Sequence, residues 1–170
     1  MNDLVQENSF AFDLPSLDLT RFSELQTPQT IGEKYLVFFL DDELFAISTK
    51  KVAEATPALP VTVLPHSPEW LFGIANLRGE IISVVNTSAL LRKKHSPAAP
   101  KSKFIILRSQ IFQFGAAITA DRISEIIALP DKEIQHNKDE KTPHIFGKAI
   151  HKTQPLNLIN TEKLLASLRL

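Results

Sequence analysis

The sequence predicts an all-β protein organised as two small barrels, on the strength of an internal repeat, of short β-forming runs bounded by turns, and of helix signals limited to a few residues. Ala46-Ile47-Ser48-Thr49-Lys50-Lys51-Val52-Ala53-Glu54 recurs as Ala117-Ile118-Thr119-Ala120-Asp121-Arg122-Ile123-Ser124-Glu125, with a hydroxyl, a base, a β-branched residue and Glu in matching places. Leu71-Phe72-Gly73-Ile74-Ala75 is echoed by Ile145-Phe146-Gly147-Lys148-Ala149, and Val85-Asn86-Thr87-Ser88-Ala89-Leu90-Leu91 by Ile159-Asn160-Thr161-Glu162-Lys163-Leu164-Leu165. Echoes kept in one order mark a duplicated unit. Residues 34–91 form the first module and 103–165 the second; a Lys-, Ser-, Ala- and Pro-bearing linker at 92–102 joins them, and 166–170 close the chain.

Each module opens on an apolar run of β-formers, Tyr35 to Leu40 and Phe104 to Leu107. A polar turn follows (Asp41-Asp42-Glu43; Arg108-Ser109-Gln110), then a second run, which makes a β-hairpin in each module. Ile74 to Leu77 and Ile81 to Val85 flank Arg78-Gly79-Glu80 as a third hairpin, and Leu156 to Ile159 supplies the last strand. Phe38, Phe39, Phe45, Phe104, Phe112 and Phe114 read as core, alternating along their strands. Ser67-Pro68-Glu69 carries the signals of a helix start, with Pro at the first helical position, and Trp70 behind it caps the core. Asn86-Thr87 and Asn160-Thr161 read as N-caps of brief helices whose Leu pairs pack inward, because a short polar side chain accepts from the first unpaired backbone N–H groups. Short strands at close spacing favour two barrels over one open sheet, and closure protects the strand edges.

Composition narrows the function. The chain has 170 residues, enough to bury about two thirds of its unfolded surface. The absence of cysteine excludes disulfides, thiolate metal sites and a cysteine nucleophile, and points to the cytoplasm. No stretch approaches the roughly eighteen apolar residues that span a bilayer, and the first twenty residues are acidic where a signal peptide is basic. No insertion into a membrane is therefore expected. Residues 1–33 hold Asp3, Glu7, Asp13, Asp18, Glu24 and Glu33 against Arg21 alone, so an acidic, flexible extension precedes a mildly basic body. Its scattered Phe10, Phe12, Leu14, Leu17, Leu19, Phe22 and Leu25 are too few for a core of their own, and the competing reading is that a subset such as Leu14, Leu17 and Phe22 docks on the body or on a partner as a short amphipathic segment.

At Gly73-Ile74-Ala75-Asn76-Leu77-Arg78-Gly79-Glu80-Ile81-Ile82 the chain resembles the CheW family of chemotaxis coupling proteins, whose signature is an Asn-Leu-Arg-Gly turn leading into an apolar strand. The likeness covers about residues 34–168. Tyr35 to Glu54 is similar to the family's opening strand pair with its Lys-Val-x-Glu step, and Thr161-Glu162-Lys163-Leu164-Leu165 to its closing helix. The resemblance implies two intertwined five-stranded SH3-like barrels. It also implies a non-catalytic adaptor that couples chemoreceptors, through their cytoplasmic tips, to the regulatory domain of a CheA-type histidine kinase. Such an adaptor is cytoplasmic and recruited to membrane-associated receptor arrays. Ser83 and Asn86 stand where the family usually has Pro and Asp, which reads as a divergent branch serving surface motility or phototaxis. Asn caps a helix about as well as Asp, whereas losing Pro bears on the edge character of the strand.

A repeat helps to separate residues kept for folding from residues kept for partners. Gly73 and Gly147 occur in both modules, which argues for a backbone reason. Arg78-Gly79 is matched by Lys152-Thr153, and a glycine-bearing tip with a guanidinium suits a partner carboxylate; the competing reading is a solvated turn arginine. With the resemblance, Asn76, Leu77, Arg78 and Gly79 are candidate partner-binding residues. Val52 and Glu54 join them because they match positions at the family's partner surface, although their counterparts Ile123 and Glu125 leave a structural role open.

No catalytic residues, cofactor or metal site are expected. His66, His95, His136, His144 and His151 show no i, i+4 pair and no carboxylate at metal spacing, so they read as surface or loop residues. Ser48, Ser83 and Ser88 lack a nucleophile-elbow context, and the glycines form no phosphate loop. The alternative function is a nucleic-acid-binding small barrel, suggested by Arg92-Lys93-Lys94-His95 with Lys101 and Lys103. Dispersed bases and aromatics held within apolar runs argue against it, so no nucleic-acid partner is expected.

Overall fold

A computed structural model describes residues 32–91, 103–107, 115–137 and 142–168. The linker with its basic cluster, Phe112 and Phe114, and the acidic extension up to residue 31 lie outside the described residues. The strands are β1 (Glu33–Leu40), β2 (Glu43–Ser48), β3 (Val52–Pro57), β4 (Val61–Thr62), β5 (Leu71–Leu77) and β6 (Glu80–Val85), followed by helix α1 (Thr87–Leu90). Then come β7 (Lys103–Leu107), β8 (Gly115–Ala120), β9 (Arg122–Leu129), β10 (Gln135–His136), β11 (Ile145–His151), β12 (Gln154–Ile159) and helix α2 (Thr161–Ala166).

They form two sheets of five long strands and one two-residue strand each, ordered β10-β11-β12-β2-β1-β9 and β3-β7-β8-β6-β5-β4. Read from opposite ends, the two orders correspond strand for strand, and in both the first hairpin of one module is inserted among the strands of the other. Hairpin β1–β2 lies between β12, which it meets in parallel, and β9; hairpin β7–β8 lies between β6, again in parallel, and β3. Intertwining is thus an exchange of hairpins.

The exchanged hairpins are buried on both faces. Leu36, Phe38, Leu40, Phe45 and Ile47 meet Ile105, Leu107, Ala116, Ile118 and Ala120 in a central core between the sheets, which Leu90 of α1 and Leu164 and Leu165 of α2 complete. The other faces line one core within each sheet: Tyr35, Val37, Leu44 and Ala46 with Leu156 and Leu158, and Phe104, Ile106 and Ala117 with Ile82 and Val84. Phe38 and Phe39 therefore both pack, on opposite sides, where alternation would leave one in solvent. Strands covered on both faces read as continuous apolar runs.

Local signals fare well at the helix starts. Asn86 Oδ1 accepts from the Ala89 N–H at 3.1 Å and Asn160 Oδ1 from the Lys163 N–H at 3.0 Å. Buried Thr87 at the start of α1 is locked to Thr119 of β8 by reciprocal bonds between each hydroxyl and the other's N–H. Trp70 packs against the central core as expected.

Three readings are corrected. Ser67-Pro68-Glu69 does not start a helix: Leu71, three residues on, is already in β5, and a single turn closed by Leu71 N–H to Pro68 O is all that fits. The hairpin turns are two residues long, Asp41-Asp42 and Arg78-Gly79, with Glu43 and Glu80 already paired in their strands. All four turn residues have positive φ, the backbone that matches the twist of the flanking strands. Finally, Glu33, assigned to the extension, belongs to β1: it pairs with Leu129, accepts from the Ser48 hydroxyl and lies 3.8 Å from Lys50.

Gly73 and Gly147 show the backbone reasons that the repeat implied. At Gly73 φ is +146° and a Cβ would sit 2.1 Å from the Thr62 carbonyl oxygen; at Gly147 it would meet Ile134 Cγ2 at 2.7 Å and Gln135 O at 3.1 Å. The first contact is with backbone and the second mainly with a movable methyl. Gly73→Ala should destabilise by about 3 kcal/mol or more and Gly147→Ala by about 1 kcal/mol. Urea unfolding of the two variants checks the order, and equal losses would contradict it.

Candidate functional site

The candidate residues gather where β3 meets the β5–β6 turn. Asn76 is the penultimate residue of β5 and its Oδ1 accepts from the Gly79 N–H at 2.8 Å, holding the turn, while Arg78 and Gly79 take φ of 54° and 92°. Nothing lies within 4 Å of a Cβ built on Gly79, so backbone conformation and not space calls for glycine there. Leu77 packs on the core of its sheet, and Val52 is half-buried against the central core.

The exposed chemistry is thereby reduced to one pair. Arg78 Nη2 donates to Glu54 Oε2 at 2.7 Å, with the Arg78 side chain 76% and the Glu54 side chain 27% exposed. Glu54 stands on β3, at one end of the ladder order, and Arg78 at a turn toward the other end, so the pair ties together two strands that share no ladder. An exposed ion pair adds little stability, because Coulomb attraction is offset by side-chain entropy and salt screening. What it does is hold β3 and the turn in one arrangement.

The second sheet repeats this clasp. Glu125 of β9 accepts from Lys152 Nζ at 2.5 Å and lies 3.2 Å from His151 Nε2, and Lys152-Thr153 again form a two-residue turn with positive φ. Arg78 is therefore not what distinguishes module one from module two. A cation meeting the repeated glutamate is common to both, and the differences are guanidinium against ammonium and an added imidazole. The sequence carries the signal, since Lys152 aligns with Arg78 and Glu125 with Glu54. His136 also lies beside a carboxylate, with Nε2 3.2 Å from Asp131 Oδ1, an exposed pair five residues apart in sequence.

Ser83 lies inside its sheet, between Ile74 of β5 and Ala116 of β8, and not at an edge. Among the described residues no helix is long and apolar enough to cross a membrane.

Comparison with known proteins is consistent across the body. The CheW-like domain family matches residues 34–169. A chemotaxis protein CheW of Rhizobium meliloti is 30% identical over 64% of this chain and 68% of its own, and one from Klebsiella aerogenes is 25% identical over 82% and 85%. The match thus spans only about two thirds of the Rhizobium relatives' length. The crystal structure of the scaffolding protein CheW of Thermoanaerobacter tengcongensis superposes with a TM-score of 0.68 at 25% identity, over 76% of this chain and 90% of that one.

The second clasp makes stability depend on acid. Hydrogen bonds from Lys152, and then from His151, hold the Glu125 carboxyl below its ordinary value of 4.5. A carboxylate with a depressed native pKa contributes stability above its unfolded pKa and loses it as pH falls through the native one. The wild-type urea midpoint should fall as pH drops below the ordinary glutamate range, and Glu125→Gln should flatten that part of the curve. An equally steep curve for the variant would remove Glu125 from the account.

Proposed function

The chain belongs to the CheW family, and from that membership we propose that it is a non-catalytic scaffold coupling a CheA-type histidine kinase to chemoreceptors in a chemotaxis-like array. The observation that carries the reading is the family match over residues 34–169, with the Asn76-Leu77-Arg78-Gly79 turn built and presented at the surface. Its partners in this reading are the regulatory domain of the kinase and the cytoplasmic tip of the receptor, and it reaches the membrane through the receptor. A scaffold needs no turnover: linking two binding events raises effective concentration and favours the joint complex.

Of the six candidate residues Arg78 is the cleanest probe. Val52 packs on the central core, so Val52→Asp confounds binding with folding. Arg78→Ala should lower co-sedimentation of kinase with receptor about tenfold, as loss of a central charged contact does, with the thermal midpoint nearly unchanged. A folded Arg78→Ala protein that bridges at full strength would take Arg78 off the partner surface. Bridging itself should pass through a maximum as the adaptor is titrated and fall when excess adaptor occupies each partner singly. Kinase and receptor assembling equally well without it, while each binds it alone, would defeat the reading.

Residues 1–31 serve assembly and not folding in this reading. A chain begun at Gly32 should unfold cooperatively in urea with a slope close to that of the full chain, because β1 begins at Glu33. A broadened transition would place part of the extension in the core.

A further inference from the structure

We propose that the outer face of the β11–β12 hairpin is a self-complementary surface through which two copies of this chain associate. The inference is independent of coupling to kinase or receptor. Cross-strand partners point to one face of a sheet, which places Ile150 with Pro155 and Lys148 with Asn157 on a common face. The residues between them, Ala149 and Leu156, point into the core. Ile150 is 70% exposed although it follows the core residue Ala149, and its module-one counterpart is Asn76, which has a task in its turn. The exposed isoleucine has no such folding role.

Beside it lies an open cleft of about 400 Å³ lined by Asp42, Glu43, Leu44, Lys148, Gln154, Pro155 and Asn157. Strand β12 runs parallel to β2, with Leu156 opposite Leu44 and Asn157 opposite Phe45, so Pro155 falls next to Glu43. The face is thus a patch with Lys148 at one corner on β11, the Asp42 carboxylate at the opposite corner, Ile150 at a third, and Pro155 and Asn157 between. A two-fold axis along the diagonal through Ile150 lays Lys148 of each copy over the acidic corner of the other and brings Ile150 against Ile150. That is the pattern an isologous contact requires, in which i meets j and j meets i. A partner of one charge would leave half of these groups against like charge. The patch is smaller than a standard stable interface, so the association is weak and reversible.

Sedimentation velocity of the full chain over rising concentration tests this. A monomer–dimer equilibrium is expected with a dissociation constant on the order of 100 µM. Ile150→Asp, at an exposed position and checked for folding by circular dichroism, should weaken it at least about tenfold, as truncation of a central contact does. Lys148→Glu should weaken it comparably, and adding Asp42→Lys to Lys148→Glu should restore it, since the charges again oppose. A chain that stays monomeric throughout, or a dimer that neither Ile150→Asp nor Lys148→Glu weakens, would overturn the proposal.

Discussion

The hairpins β1–β2 and β7–β8 are buried on both faces, and the rest of the molecule is arranged around that constraint. Each has one face in the core of its own sheet and the other in the central core between the sheets. Neither sheet is complete without a hairpin from the other module, because β12 and β9 both pair with module-one strands, and β6 and β3 with module-two strands. Pulling one sheet apart exposes the apolar face that the other needs. Stability is therefore shared across the repeat, and the helices, each capped by an Asn and contributing leucines to the central core, close its ends.

Duplication also clarifies what the family turn is for. Asn76 and Gly79 are explained by the turn they build, and Leu77 by the core beneath it. What remains exposed is the guanidinium of Arg78, already engaged with Glu54. The same geometry recurs with Lys152 and Glu125, so the pair has a positioning role in both sheets before it has any role toward a partner. An arginine held by a carboxylate keeps further N–H donors in a fixed plane. In module one this makes a preorganised donor group, whereas the ammonium of Lys152 is a point charge beside an imidazole. Two similar sheets thus present chemically different corners.

How far the residues alone lead depends on the range of the interaction concerned. The two Asn caps, the glycines at 73 and 147, the β character of the runs and the family turn were legible because each acts within a few residues or repeats at matching places. The helix start at Ser67-Pro68-Glu69 misled because its signals are equally those of one turn, and only the position of Leu71 in β5 excludes a helix. Glu33 misled because its charge grouped it with the acidic extension, whereas its strand partner Leu129 lies 96 positions away. The pairing of Arg78 with Glu54, and of Lys152 with Glu125 and His151, could not be read from spacing. It joins strands that share no ladder and lie several strands apart in the sheet order. By itself, the sequence determined that this is a duplicated β protein with a CheW-like turn. Which hairpin enters which sheet, and which charges meet, was decided by the tertiary structure, because a β-strand gains its partners and its second buried face only from residues far along the chain.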